Sequence, residues 1–264
     1  MNPAPSDKRQ TGFTLIELLV SLGIFLLVIG AAFTLLGSSQ NRYQTESQAL
    51  NSFQEARLAL DQIVRDVNDA GYPPPTYYVG SHNFFADSPF AWSPGYAGNI
   101  PCVMGTGGGG TCTTPGDFDL IVETTPNPKD PSCAPSPCPV QWIRYQLQTP
   151  PAVQVPTLMR GMIPKVAGGD PDAVTSAAGV LAPFVQNVVN SPAQPIFSYT
   201  CDTSTAPQSP PLPCPIAAAV DKSPANIRDV MINLIVATPQ RDATTGQPRV
   251  VELSGRGRRI NPNQ

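Results

Sequence analysis

The distribution of hydrophobic and polar residues changes twice along the chain. A polar start, residues 1–12, is followed by a segment that is apolar from residue 13 to about residue 36, with Glu17 as its one charged residue. At a rise of about 1.5 Å per residue, a helix of this length can cross the hydrocarbon core of a bilayer. The pattern therefore predicts a membrane-spanning helix over residues 13–37.

The pattern becomes amphipathic after about Gln40. Apolar residues recur at spacings of three and four, and charged residues occupy the other faces. The apolar positions are Leu50, Phe53, Ala56, Leu60, Ile63, Val64, Val67 and Ala70. Gly71 is suited to cap a helix, and the three prolines at 73–75 cannot continue one. One helix is therefore predicted over residues 13–70, with the segment 38–71 packed against a globular head.

Residues 72–264 carry short runs of β-branched and aromatic residues separated by turn residues. The runs are 118–123, 140–147, 185–189, 196–199, 227–238 and 249–253. With 32 prolines in the chain, the head is expected to contain long proline-rich loops. A long helix followed by several strands predicts an α+β fold, in which the helix packs on a mainly antiparallel β-sheet.

Charge asymmetry around the apolar segment predicts its orientation. Lys8 and Arg9 precede the segment, and no basic residue lies inside it. This places the N-terminus in the cytoplasm and the residues after Gly37 on the opposite side of the membrane. A secretory signal would be shorter and would be followed by a small-residue cleavage site. We therefore expect the apolar helix to remain in the mature protein.

Six cysteines lie in loop-like stretches as three neighbouring couples. The couples are Cys102 with Cys112, Cys133 with Cys138, and Cys201 with Cys214. An even number suits an oxidising compartment, so these six are disulfide candidates. Pairing within each couple is an expectation from proximity, and zinc is the alternative. Because one couple alone has a spacing suited to zinc, and His82 is the single histidine, no metal site is predicted.

Glu17 is the anomaly of the apolar segment. A carboxylate inside a membrane helix costs on the order of a few kcal/mol unless it finds a partner. One interpretation is a functional carboxylate with a partner on another molecule. The other is a residue near enough to the helix start to reach the lipid headgroups and to be favoured by the helix dipole.

The sequence of residues 12–20, Gly-Phe-Thr-Leu-Ile-Glu-Leu-Leu-Val, resembles the class III signal of type IV pilins and type II secretion pseudopilins. The resemblance implies that residues 1–12 are a leader and that a prepilin peptidase cleaves after Gly12. It also implies methylation of the new terminal amine on Phe13. Glu17 would then pair with the Phe13 amine of a neighbouring subunit and set the register of the filament.

The order of features along most of the chain resembles the larger minor pilins of the PilW type and their pseudopilin J relatives. The matching segments are 66–72, 118–120, 227–230 and 259–261. The resemblance implies a structural subunit that takes part in the initiation, assembly or tip of a type IV pilus. The alternatives are a type II secretion pseudopilin of the J type and a membrane-anchored adhesin or binding module.

The same resemblance implies partners and a location. The partners would be a prepilin peptidase, other major and minor pilins, the inner-membrane assembly platform and a tip adhesin. The chain would first be a single-pass inner-membrane protein with a cytoplasmic N-terminus and a periplasmic head, and then part of an extracellular filament.

No catalytic or cofactor-binding site is predicted, and the chain is not expected to be an enzyme. The segment 105–110 matches a dinucleotide-binding glycine motif, but it lacks the flanking strand and helix that the motif requires. Asp117, Asp119 and Glu123 are interpreted as charges on the exposed face of an edge strand rather than as an acid–base pair. His82 lies in a segment without a pattern.

Charge also argues against nucleic-acid binding. The net charge is −3, and the one basic cluster, Arg256, Arg258 and Arg259, is interpreted as a solvated strand end. Residues 170–172, Asp-Pro-Asp, lack the spacing of an EF-hand, so calcium binding by the loops is left open.

Overall fold

The computed structural model describes residues 12–76, 81–92, 103–104, 111–112, 114–133, 137–201, 223–242 and 245–260. Its helices are α1 (Leu15–Asn68) and α2 (Pro171–Thr175), with two 3₁₀ turns at Pro131–Cys133 and Ser223–Asn226. Its strands are β1 (Val103–Met104), β2 (Thr111–Cys112), β3 (Asp119–Thr124), β4 (Gln141–Gln148), β5 (Thr157–Pro164), β6 (Ala182–Gln186), β7 (Phe197–Cys201), β8 (Ile227–Arg241) and β9 (Pro248–Arg258).

Helix α1 confirms the prediction of one continuous helix, although it is two residues shorter at each end than the predicted span 13–70. Its 54 residues give a length of about 81 Å at the standard rise. Thr14 caps its first turn and Asp69 its last. Gly71 has a φ of +82°, in the left-handed region that glycine adopts without strain, and the chain turns away from the helix there.

Two antiparallel sheets form the head. One has the strand order β3-β4-β5-β6 and the other the order β7-β8-β9, and an isolated bridge between Val188 and Val236 joins them. The short pair β1 and β2 is parallel. All six predicted runs coincide at least in part with strands, so the α+β prediction with a mainly antiparallel sheet is confirmed.

The second half of α1 packs on β8 and β9, and two glycines allow the helix to come close. A Cβ added to Gly257 would lie 2.5 Å from Cγ1 of Val67, and one added to Gly255 would lie 2.9 Å from Cδ1 of Leu60. Real Cβ atoms do not approach other atoms so closely. Glycine at these two positions therefore sets the separation between helix and sheet.

The amphipathic stripe of α1 is confirmed from Ala56 onward but not at its start. Ala56, Leu60, Ile63 and Val67 are buried in the main core with side chains from both sheets. Leu50 continues the same stripe in the sequence, but this residue is 61% exposed. The spacing at Leu50 fits the helical period, but the described residues of the head do not cover this turn.

Strand β5 and helix α2 were not predicted from the sequence. Strand β5 pairs along its length with β4 and carries Arg160 and Gly161 at its centre. These two residues interrupt the apolar alternation that marks a strand. A Cβ on Gly161 would lie 2.8 Å from the backbone oxygen of Val180, so this glycine serves a close backbone approach.

Candidate functional site

The start of α1 brings together the residues that the sequence predicted for processing and subunit registration. Gly12, Phe13 and Glu17 are all exposed, and the residue between them, Thr14, has the extended backbone of an N-cap. A Cβ on Gly12 would meet no atom within 4 Å. The Gly12–Phe13 peptide bond therefore lies outside the helix, in a segment that the described residues leave open to another protein.

Thr14 and Glu17 form a reciprocal capping box. The Thr14 backbone N–H donates to Glu17 Oε2 at 3.0 Å, and the Thr14 hydroxyl donates to the same oxygen at 2.8 Å. The Glu17 N–H donates to the Thr14 hydroxyl oxygen at 3.4 Å. Sequence analysis missed the role of Thr14, although Thr-x-x-Glu before an apolar run is the signal of such a box.

The capping box positions the Glu17 carboxylate without using all of its capacity to accept hydrogen bonds. Both donors bind Oε2, and a carboxylate has two oxygens that each accept hydrogen bonds. The N–H of Thr14 belongs to the Phe13–Thr14 peptide bond, so cleavage of the Gly12–Phe13 bond would not remove this donor. Glu17 can therefore keep its local partner and also accept a cation from another molecule.

Apolar side chains surround this carboxylate on the helix surface. Glu17 lies in a shallow concave surface formed with Ile16, Val20, Ser21 and Ile24. Most large apolar side chains of this half of the helix are exposed: Phe13, Leu15, Ile16, Leu18, Leu19, Val20, Leu22, Ile24, Phe25, Leu26, Leu27, Val28, Phe33, Leu35 and Leu36. Within the described part of the chain, α1 is also the one helix long and apolar enough to cross a membrane.

One predicted disulfide is confirmed. Cys133 and Cys138 are bonded to each other across a five-residue separation. Cys201 is also disulfide-bonded, but its predicted partner Cys214 lies outside the described residues. Cys102 lies outside them too, and only the backbone of Cys112 is described, so these two pairings stay predictions.

The head holds buried charges where the sequence predicted exposed ones. The interpretation of Asp119 and Glu123 as residues on an exposed strand face is wrong, because Glu123 is fully buried and Asp119 is mostly covered. Strand β3 lies at a sheet edge, but Phe90 forms a bridge to Val122 and the segment 81–92 covers that edge. Both faces of β3 are therefore inside the head.

Asp119 pairs with Arg144 of β4, whose guanidinium is also 2.5 Å from Oδ1 of Asp172. Asp170 caps helix α2 by accepting the N–H of Asp172 at 3.0 Å. The predicted Asp-Pro-Asp segment thus anchors a short helix and completes an ion pair. No group of three or more histidines, cysteines or carboxylates suited to a metal is found among the described residues.

A second buried network joins α1 to the first sheet. The Tyr145 hydroxyl donates to Asp66 Oδ2 at 2.5 Å, and Arg160 donates to both groups at 2.9 Å. Burial raises the pKa of Tyr145 well above its usual value, and the charge of Asp66 adds to that effect. Because β5 was missed, sequence analysis could not connect Arg160 with the helix.

A third network accounts for Arg256, one member of the basic cluster near residue 258. Asp229 of β8 is fully buried and receives Arg256 at 2.7 Å and Arg228 at 3.0 Å. Burial acts to raise the pKa of Asp229, but the hydrogen bonds and charges of Arg256 and Arg228 outweigh it and hold the pKa below its usual value. Arg259 is itself 7% exposed, so the cluster is only partly a solvated strand end.

Comparison with known families matches residues 7–33 to the family described as prokaryotic N-terminal methylation motif. The matched residues include Gly12, Phe13, Thr14 and Glu17 and most of the exposed apolar half of α1. No curated protein and no solved structure matches the chain. The motif supports a type IV pilin-like or pseudopilin protein and a structural role, and it says nothing of the head.

Proposed function

We propose that this chain is a minor type IV pilin-like subunit that takes part in the initiation, assembly or tip of a pilus. The observation that carries the proposal is the N-terminal methylation motif at the start of an exposed apolar helix that continues into a folded α+β head. Processing after Gly12 and methylation of Phe13 would precede assembly. Prepilin peptidase, other pilins, the assembly platform and a tip adhesin would be its partners.

The apolar half of α1 would have two successive environments. It first lies in the inner membrane, with the N-terminus in the cytoplasm and the head in the periplasm. It then leaves the bilayer and packs against the same half of other subunits, which would bury the side chains from Phe13 to Leu36. Lipid tails are as apolar as these side chains, so transfer from lipid to other helices gains little hydrophobic free energy. Close packing and polar partners must therefore hold the helices of the filament together.

Glu17 would provide the main polar partner. A neighbouring subunit's Phe13 amine is cationic, and methylation keeps its charge. In the apolar interior of a filament, such a pair requires good geometry because both ions lose water. The Thr14 capping box supports the proposal because it fixes one carboxylate oxygen before the partner arrives.

Two measurements test this function. The intact mass of the mature protein should correspond to a chain that begins at methylated Phe13, whereas retention of residues 1–12 would indicate a plain membrane anchor. Glu17→Ala should remain in the membrane but be recovered in sheared filaments at a level far below wild type. Glu17→Asp, which keeps the charge, serves as the matched control. Unchanged recovery of Glu17→Ala would refute the registration role.

A type II secretion pseudopilin of the J type is the second candidate, because the same motif also occurs at the start of pseudopilins. The two functions differ in the machinery that extracts the subunit. Cross-linking of the chain in cells to pilus proteins would support the pilin, and cross-linking to secretion proteins would support the pseudopilin.

A further inference from the structure

The head buries one lysine between two carboxylates. Lys165 directly follows β5, and its side chain is 1% exposed. Its Nζ lies 2.7 Å from Oδ2 of Asp87 and also contacts Oε1 of Glu123, whose side chain is fully buried. The backbone oxygen of Phe85 accepts from the same Nζ at 3.0 Å. A nucleophilic nitrogen and two carboxyl groups are therefore held together out of water.

The two carboxylates differ in their other contacts. Glu123 accepts the indole N–H of Trp142 at 3.3 Å and the backbone N–H of Asp87 at 2.8 Å. These two donors fix the position of the Glu123 carboxyl group. Asp87 has instead an imidazole nitrogen of His82 at 3.0 Å from Oδ1. These contacts suit Glu123 to move a proton and Asp87 to be attacked.

We propose that Lys165 and Asp87 join in an intramolecular amide bond, with Glu123 as the proton carrier. The proposal concerns the covalent structure of the head and does not depend on the function proposed above. It uses only groups of this chain: Lys165 and Asp87 are consumed once, and Glu123 returns to its starting form. The chain would thus modify itself without being an enzyme.

The reaction balances without any co-reactant. Glu123 takes a proton from the Lys165 ammonium and passes it to the Asp87 carboxylate, which leaves a neutral amine facing a neutral acid. The Nζ lone pair attacks Cγ of Asp87, and a C–N bond forms. Glu123 then carries a second proton from nitrogen to the departing hydroxyl. The C–O bond breaks and one water molecule leaves.

The surroundings favour this condensation. A buried ion pair costs desolvation, whereas an amide has no charge and its N–H can donate to Glu123. Nζ of Lys165 already lies 2.7 Å from Oδ2 of the carboxyl group that it would attack, so little orientation entropy is lost on the way to the transition state. An N–H of His82 near Oδ1 would stabilise the negative charge that develops on that oxygen.

The bond would tie an irregular segment to the sheet. Within residues 81–92, the regular pairing is a single bridge from Phe90 to β3. An amide at Asp87 would hold this segment to the end of β5 and so keep Trp142 and Glu123 covered. The bond would also close a covalent loop that contains β3, β4 and β5. A closed loop cannot be pulled out into an extended chain, so this part of the head would resist force.

The test is the mass of the full chain, purified in detergent, reduced and denatured. We expect wild-type protein to be lighter than its processed sequence by the mass of one water molecule. Digestion should yield a branched peptide that links Lys165 to Asp87. Lys129→Arg, at an exposed position, should keep this loss. Lys165→Arg, which keeps the charge but has no reactive amine, should have the unmodified mass.

Glu123→Gln tests the proton carrier, with thermal unfolding measured on the same sample to show that the head is folded. The folded variant should lack the branched peptide, and a branched peptide at the wild-type level would overturn the role of Glu123. The wild-type mass decides the proposal even if no variant folds. A wild-type chain at its unmodified mass, or a link from Lys165 to Glu123, would overturn it.

Discussion

The two halves of α1 differ in what their surroundings provide. A methyl group added at Gly23 or Gly30 would meet nothing within 4 Å, whereas one added at Gly257, opposite the second half, would collide with Val67. From Ala56 onward, one face of the second half is covered by the chain's own strands. The first half presents apolar side chains that the described head does not cover. One helix therefore has two kinds of surface, one packed on the head and one that the described residues leave exposed.

Their polar groups differ in the same way. Asp66, in the second half, is held by Tyr145 and Arg160, which lie far away in sequence. Glu17, in the first half, has only the neighbouring Thr14 as a described partner. A long-range partner stabilises the fold of the head. A local partner leaves the Glu17 carboxylate able to accept a second partner, as the proposed registration role requires.

Loss of the Lys165 side-chain nitrogen should have the largest effect on the head. Lys165→Met leaves the buried Glu123 and Asp87 without the nitrogen that both contact, which should lower the free energy of unfolding by about 3–5 kcal/mol. Denaturant unfolding followed by tryptophan fluorescence measures it, since Trp142 is buried beside the site. Lys129→Met, at an exposed position, should change it by less than about 0.5 kcal/mol. Equal effects of the two variants would contradict the assignment.

Glycine substitutions test the contrast between the two halves directly. Gly257→Ala should lower the free energy of unfolding of the head by about 1–3 kcal/mol, because Val67 and the helix must move away from β9. Gly23→Ala should leave head unfolding unchanged. If both variants unfold like wild type, the close approach of α1 and β9 is wrong.

Asp229 should make the stability of the head depend on pH. Its pKa in the folded state lies below that of the unfolded chain, so its contribution is complete above the unfolded value of about 4. The contribution should be lost as pH falls from there through the folded pKa. Asp229→Asn should reduce the dependence of the free energy of unfolding on pH in this range. Thermal unfolding between pH 6 and pH 2, roughly the range of a carboxyl titration, measures this dependence.

The smallest effect is expected at the helix start. Thr14→Ala removes the N-cap side chain and should destabilise the first turn by about 1 kcal/mol, with no change in unfolding of the head. Hydrogen exchange of the Glu17 amide in detergent measures it. Thr34→Ala is the control, because Thr34 bonds only to the carbonyl of Ala31 in the middle of the helix. Equally faster exchange of the Glu17 amide in both variants would argue against a specific capping role of Thr14.

Local patterns were enough to predict the helix and most strands, because the spacing of apolar residues and the turn residues depend only on neighbouring positions. Local patterns did not predict contacts between residues that are distant in sequence. Lys165 lies 42 residues from Glu123 and 78 from Asp87, so neither pattern nor spacing could bring them together. The charged residues of β3 suggested a solvent-exposed face. The pattern of one strand does not show whether a segment that is distant in sequence covers that face. The Thr14 cap was a local signal that was not used.

If the head is exported as proposed, the docking of α1 on β9 affects the order in which the head can fold. Among the described strands, β9 is the last to be synthesised, and the helix that it receives is near the start. Helix α1 would already be inserted while the other strands crossed the membrane. In the proposed topology, residues 56–67 would lack part of their binding surface until Gly255 and Gly257 had been translocated. Their apolar side chains would stay exposed until then, so slow export would favour aggregation of this chain.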